Sequence, residues 1–324
     1  MNIESYQAAY EQAVYLDRSA AGCVELKGRD RLALIHRLST NAVERLAPGE
    51  GAQTVLTNHN ARIIDALLVL AIDEDTAWVV TTPGRGPQIA GQLAKNIFFN
   101  DQLTVRDCSE PTSQLHLYGP QATAILERMT GAALADLPLW HHVAAEIDGC
   151  SIRLVRIKPI NGAGWLILED MAAIEAVAGK LDEAGAVLLD AATYEALRVE
   201  SGYPGPPELN LEYIPLEADL WDAVSFKKGC YVGQEIIARM ESRGRLAKRL
   251  MGLRVSGQVT VPAKLTVDGK DAGDLTSLAM SPRHGPVIGL GFVRTAFAEQ
   301  GAVLQAGAAT AVVAALPFSD DPTT

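Results

Sequence analysis

Lys227-Lys228-Gly229-Cys230-Tyr231-Val232-Gly233-Gln234-Glu235 sets a thiol between two glycines, behind two lysines, and runs into Ile236-Ile237-Ala238 before Arg239. Glycine lets a backbone turn sharply or approach a ligand closely. Adjacent cations favour the thiolate, the reactive form of cysteine. A free cysteine is equally often a small core residue that needs no such company. Downstream, Arg239, Arg243, Arg245, Lys248, Arg249 and Arg254 follow with Glu241 as the acid among them. On a chain of net charge −11, such a strip suits a local anionic ligand or a solvated strand face.

Composition narrows the classes. A chain of 324 residues exceeds one ordinary core and implies two or three domains. The acidic balance argues against broad nucleic-acid binding, which needs positive surface. Apolar runs such as 66–72 fall short of a membrane span. The opening Met1-Asn2-Ile3-Glu4 lacks the basic-then-apolar plan of a signal peptide. Cys23, Cys108, Cys150 and Cys230 form no C-x-x-C pair. They read as reduced thiols of a cytoplasmic protein, with no metal site implied.

Periodicity predicts an α+β order. Helices are expected over 3–15, from Gly28 to Leu38, from Pro83 to Phe98, from Gly119 to Gly131, over 171–184, and from an Asp190 N-cap to Val199. Strands are expected over 22–26, 53–57, 63–72, 78–82, 103–107, 114–118, 143–148, 151–158, 164–168 and 186–189. A strand, a turn with glycine and a helix occur twice, at 22–40 and 114–131, which suggests an internal repeat. Trp78, Phe98 and Phe99 read as core. After Leu246 short strands separated by Gly and Pro suggest a small antiparallel barrel. The expected division is 1–245, holding two α+β subdomains, and 246–318, with the boundary near Arg245.

Lys228-Gly229-Cys230-Tyr231-Val232-Gly233-Gln234-Glu235 resembles the KGCYxGQE motif of the folate-binding YgfZ family, related to the T-protein (aminomethyltransferase) of glycine cleavage. Leu38-Ser39-Thr40-Asn41 with Leu46-Ala47-Pro48-Gly49-Glu50-Gly51, Arg198-Val199-Glu200-Ser201-Gly202-Tyr203-Pro204, and Gly273-Asp274-Leu275-Thr276-Ser277 are similar to segments of the wider superfamily. Glu212–Ala218 and Trp221–Phe226 look most like its cyanobacterial and plastid branch. The resemblance implies a three-domain ring with a C-terminal antiparallel β-barrel, a central tetrahydrofolate site, and a role with iron–sulfur client or assembly proteins.

It also implies site residues. Glu200 is the candidate reader of the pterin, whose amidine-like edge offers two N–H donors to a carboxylate. Asn41, Lys228 and Gln234 are expected at the folate cavity. Arg239 and Arg243, with Lys248, suit the carboxylates of a polyglutamate tail. Two departures count against glycine-cleavage activity. Where T-protein has Gly-Gly-x-x-Asp-Asp, this chain has Ala61-Arg62-Ile63-Ile64-Asp65-Ala66, with a methyl at the catalytic carboxylate's position. Asp65 points the other way on a strand unless a bulge intervenes. Asp-x-Ser-His-Met-Gly becomes Asp17-Arg18-Ser19-Ala20-Ala21-Gly22. Cys230 is then the expected reactive group, as a nucleophile, a passing cluster ligand or a redox sensor. A folate-dependent one-carbon transferase or demethylase, and an interaction module with a vestigial cavity, are the alternatives.

Overall fold

The computed structural model describes residues 1–244 and 246–319, without the side chain of Arg243. The boundary expected near Arg245 falls outside the described residues. Helix α1 (Ile3–Glu11) starts on an Asn2 cap whose side chain accepts from Glu4 and Ser5. It stops short of the expected helix end, and β1 (Val14–Asp17) follows.

The internal repeat is present element for element. The first copy is β2 (Ala21–Lys27), α2 (Arg31–Leu38), β3 (Gly51–Thr57), β4 (Ile63–Ala71), β5 (Thr76–Pro83), α3 (Gly86–Ala94) and β6 (Thr104–Asp107). The second is β7 (Thr112–Gly119), α4 (Ala122–Thr130), β8 (His142–Ile147), β9 (Cys150–Arg156), β10 (Ala163–Asp170), α5 (Met171–Glu183) and β11 (Val187–Leu188). The first sheet runs β3-β4-β5-β2-β6 and the second β8-β9-β10-β7-β1-β11. The two orders match once β1 is seen as a strand inserted between β7 and β11. That insertion explains why Val14 and Tyr15, expected at the end of a helix over 3–15, are strand: they pair with β11 on one side and β7 on the other.

Helix α3 ends at Ala94, before Phe98 and Phe99. Both phenylalanines are exposed, correcting their assignment to the core. Trp78 is half-buried between the sheets, against Leu68, Leu70 and Val80.

After α6 (Ala191–Glu200) an irregular segment leads to α7 (Gln234–Arg243). A closed barrel completes the fold: β12 (Lys248–Ser256), β13 (Ala263–Val267), β14 (Lys270–Ser281), β15 (Gly285–Arg294), β16 (Val303–Ala306) and β17 (Ala309–Ala314). The helix α7 replaces the solvated strand face considered for Arg239 and Arg243. A buried network binds α6 to the barrel. Arg198 meets Glu208 at 3.1 Å and Ser277 Oγ at 2.8 Å, and Glu208 also accepts from Thr276 at 2.6 Å. A buried charge pair holds only when its remaining sites are bonded, as here. The first sheet, α6 and the barrel meet around Val55, Val199, Tyr213, Leu290 and Phe292, where the Tyr213 and Phe292 rings stack at 3.4 Å. No described helix is long and apolar enough to cross a membrane.

Candidate functional site

Cys230 is exposed on the segment between the short helical turn Trp221–Ala223 and α7. Two anchors hold that segment. The first is Lys228, whose ammonium donates to the carbonyls of His36, Ser39 (2.7 Å) and Asn41 (2.9 Å). The end of a helix leaves carbonyls without partners, and a cation there satisfies them. Burial pushes the Lys228 ammonium down to about 8. Its Nζ also lies 5.1 Å from the Tyr231 ring centre.

The second anchor follows the cysteine. Tyr231 is buried with Ala61, Ile214, Leu216, Val224 and Ile237. Thr57 Oγ1 donates to the Val232 carbonyl at 2.6 Å. Gly233 has φ +85°, and a Cβ there would come within 2.8 Å of Asn58 O and Ala61 Cα. That position requires glycine for its backbone and its close approach. Gly229 meets no such neighbour. The thiol thus stands on a short bridge fixed at both ends.

The first copy of the repeat supplies most of the mounting. Asn41 Nδ2 donates to Gln53 O (2.8 Å) and Asp222 O (3.0 Å), and Thr40 Oγ1 to Ala223 O (2.6 Å). The Leu38–Asn41 and Lys228–Glu235 segments are therefore one assembly. Asn41 and Lys228, expected at a folate cavity, have their donors taken by backbone carbonyls. Lys228 turns its charge away from the role of a free thiol neighbour, leaving Lys227 as the exposed lysine of the pair. Gln234 opens α7 and is half-buried. Arg239 is exposed and pairs with Glu235 at 2.8 Å along its own helix, a contact of small energetic weight. The Arg243 side chain lies outside the described residues.

Glu200 is remote from this loop in its bonding. Its carboxylate is buried and accepts the Tyr6 phenol at 2.7 Å and the Tyr10 phenol at 2.6 Å. These two donors explain a carboxylate at a helix end without any ligand. Ala66 packs into the cluster between the first sheet and the barrel. A bulge does occur beside it: β3 pairs Leu56 with Asp65 and Thr57 with Ile63, skipping Ile64. Asp65 is nevertheless enclosed, accepting from Thr82 Oγ1 at 2.7 Å and Ala66 N at 3.0 Å. Burial raises its carboxyl above the ordinary range.

Two clefts flank the turn between β3 and β4. One, about 590 Å³, is lined by Asn58, Arg85, Gln88, Gln92 and Leu211 among others. The other, about 360 Å³, lies along α7 and includes Arg62 and Glu217. Neither includes Glu200. Arg62 and Glu217 carry no local signal of a site: Arg62 lies in the stretch that departs from T-protein, and Glu217 in one that resembles the cyanobacterial and plastid branch.

Residues 2–228 match the GCVT N-terminal domain, and residues 248–320 the glycine cleavage T-protein C-terminal barrel domain. The chain belongs to the GCVT family. It is similar to a chloroplastic protein of Arabidopsis thaliana whose name makes it a candidate transferase, with 30% identity over 97% of this chain and 73% of that protein. An aminomethyltransferase of Symbiobacterium thermophilum is 28% identical over 99% of this chain and 90% of its own. The crystal structure of aminomethyltransferase T from Bartonella henselae shares the fold, with a TM-score of 0.84 at 20% identity, covering 98% of this chain and 89% of that one.

Proposed function

We propose that this protein is a YgfZ-type, folate-binding accessory protein of iron–sulfur cluster assembly or repair, with Cys230 as its reactive group. The observation that carries the reading is the Cys230 mounting: an exposed thiol on a bridge fixed by Lys228 before it and by Tyr231 and Gly233 after it. A merely structural cysteine gains nothing from such anchoring. The same segment exposes Trp221, Phe226 and Val232, an apolar surround suited to a client surface. No group of three or more His, Cys, Asp or Glu able to hold a metal stands among the described residues. A cluster meeting Cys230 as cargo would take its other ligands from the client or a small thiol.

The folate half of the reading rests on family membership. A pterin approaching Glu200 would meet oxygens already bonded to Tyr6 and Tyr10. The residues present therefore offer no free reader at that place.

The test has two arms. Reduced folates are titrated against wild type and Glu200→Ala by calorimetry, with binding expected in both, since the Glu200 oxygens are already bonded to Tyr6 and Tyr10. In cells lacking the protein and short of iron–sulfur enzyme activity, wild type restores activity and Cys230→Ala, though folded, does not. Full rescue by Cys230→Ala overturns the thiol role. The names of the relatives favour a second reading, a folate-dependent aminomethyl or one-carbon transferase. The methyl of Ala66 weighs against it, because it can neither take a proton nor stabilise a cation. Turnover of a methylated amine by wild type, unaltered in Ala66→Asp, would support that reading.

A further inference from the structure

The 360 Å³ cleft along α7 is of the size that holds small organic ligands, and its lining is of two kinds. Asn60, Arg62 and Glu217 are its polar residues, and Ile214, Ile236, Met240 and Ala247 its apolar ones. Glu217 is only 5% exposed. Its Oε2 accepts from Ile214 N at 3.2 Å and stands 3.7 Å from Arg62 Nη1. No hydrogen bond among the described residues reaches Oε1. Arg62 Nη1 donates to Glu212 O at 2.6 Å, and Nη2 and Nε have no acceptor among the described residues. That oxygen is not sealed from solvent; on a residue that lines the cleft, it leaves one acceptor of a largely buried carboxylate open to a ligand donor. Burial also raises the Glu217 carboxyl, while Lys248 and Arg62 act on it as positive neighbours.

Arg62 and Glu217 together decide the ligand class. A simple cation would be repelled by Arg62, and a simple anion by Glu217. A molecule bearing both charges meets a partner for each. We propose that this cleft binds a small zwitterion with an apolar side chain, an α-amino acid of the leucine or methionine class. Its ammonium donates to Glu217 Oε1, its carboxylate accepts from Arg62, and its side chain lies on Ile236 and Met240. Because both apolar residues belong to α7, which begins directly after the thiol bridge, the ligand also adds contacts to the helix behind Cys230. The inference stands apart from any role in iron–sulfur chemistry or folate binding.

Calorimetry of the full chain with L-leucine, leucinamide and 4-methylpentanoate tests it. The amide lacks the carboxylate and the acid lacks the ammonium. Leucine is expected to bind roughly tenfold or more tightly than either, the value of one charged hydrogen bond. Glu217→Gln is expected to remove the preference over 4-methylpentanoate, which lacks the ammonium, and to keep that over leucinamide. Met240→Trp, which fills the cleft from its wall, is expected to abolish binding while Cys230 labelling is unchanged; it decides the matter if Glu217→Gln fails to fold. The proposal is overturned by absence of saturable binding up to roughly 10 mM leucine. Equal binding of 4-methylpentanoate, or leucine affinity unchanged in Met240→Trp, overturns it as well.

Discussion

Replacing Lys228 by Met separates its structural role from a role as thiol activator or ligand contact. The ammonium closes three carbonyls at the end of α2, those of His36, Ser39 and Asn41. Methionine keeps most of the stem volume and removes every donor. A hydrogen bond to a charged group contributes about 1.5–3 kcal/mol net. Here three bonds share one half-buried ammonium, and water can reach part of the opened site, so their sum is well below three full bonds. Loss of the contact with Tyr231, 5.1 Å away, adds about 0.5 kcal/mol. The expected destabilisation is roughly 2–4 kcal/mol, read from the urea midpoint at unchanged slope. Hydrogen exchange should rise in 36–42 and 226–233 together, because the two segments share the lysine. Lys227→Met should stay within about 0.5 kcal/mol of wild type, as an exposed side chain. Lys228→Arg should recover little, since a planar fork does not fit acceptors arranged for an ammonium. A Lys228→Met protein as stable as wild type, with exchange unchanged in both segments, would refute this reasoning.

Gly233→Ala should destabilise by roughly 1–3 kcal/mol, from its positive φ and the contact with Asn58 and Ala61, whereas Gly229→Ala should be nearly neutral; thermal unfolding distinguishes them. Tyr6→Phe and Tyr10→Phe should each cost about 1–3 kcal/mol by leaving a buried Glu200 oxygen short of a donor. Asp65 has a raised carboxyl when folded, so the folded state keeps its proton to a higher pH than the unfolded chain. Stability therefore falls as pH rises from the ordinary aspartate value through the raised one. Asp65→Asn should flatten that part of the pH profile of urea midpoints.

Much of the fold is legible because apolar runs between turn residues mark strands, as in β4 between 58–60 and 73–75, and because Gly and Pro separate the short strands of the barrel. The repeat was visible at its strand–helix openings alone; its remaining elements are required to show that the sheet orders agree. β1 was hidden because Val14–Asp17 follows α1 without a breaker, and its strand state is imposed by β7 and β11. Helix α7 was hidden because Ile236 and Ile237 precede a run of charges that fits helix or strand. The cysteine itself was legible as a candidate from its neighbours. The positions of Asn41, Lys228 and Glu200 were not, because their partners lie 181–194 residues away. No local pattern tells a carbonyl-capping lysine from a ligand-binding one.

Site-resolved alkylation of the native protein tests the mounted thiol most directly. With limiting iodoacetamide and peptide mass spectrometry, Cys230 should be modified first and Cys150, half-buried, more slowly. Cys23, with burial pushing its thiol up to about 12, and buried Cys108 should react only on unfolding. Cys230 protected as fully as Cys23 in the folded protein would contradict the account.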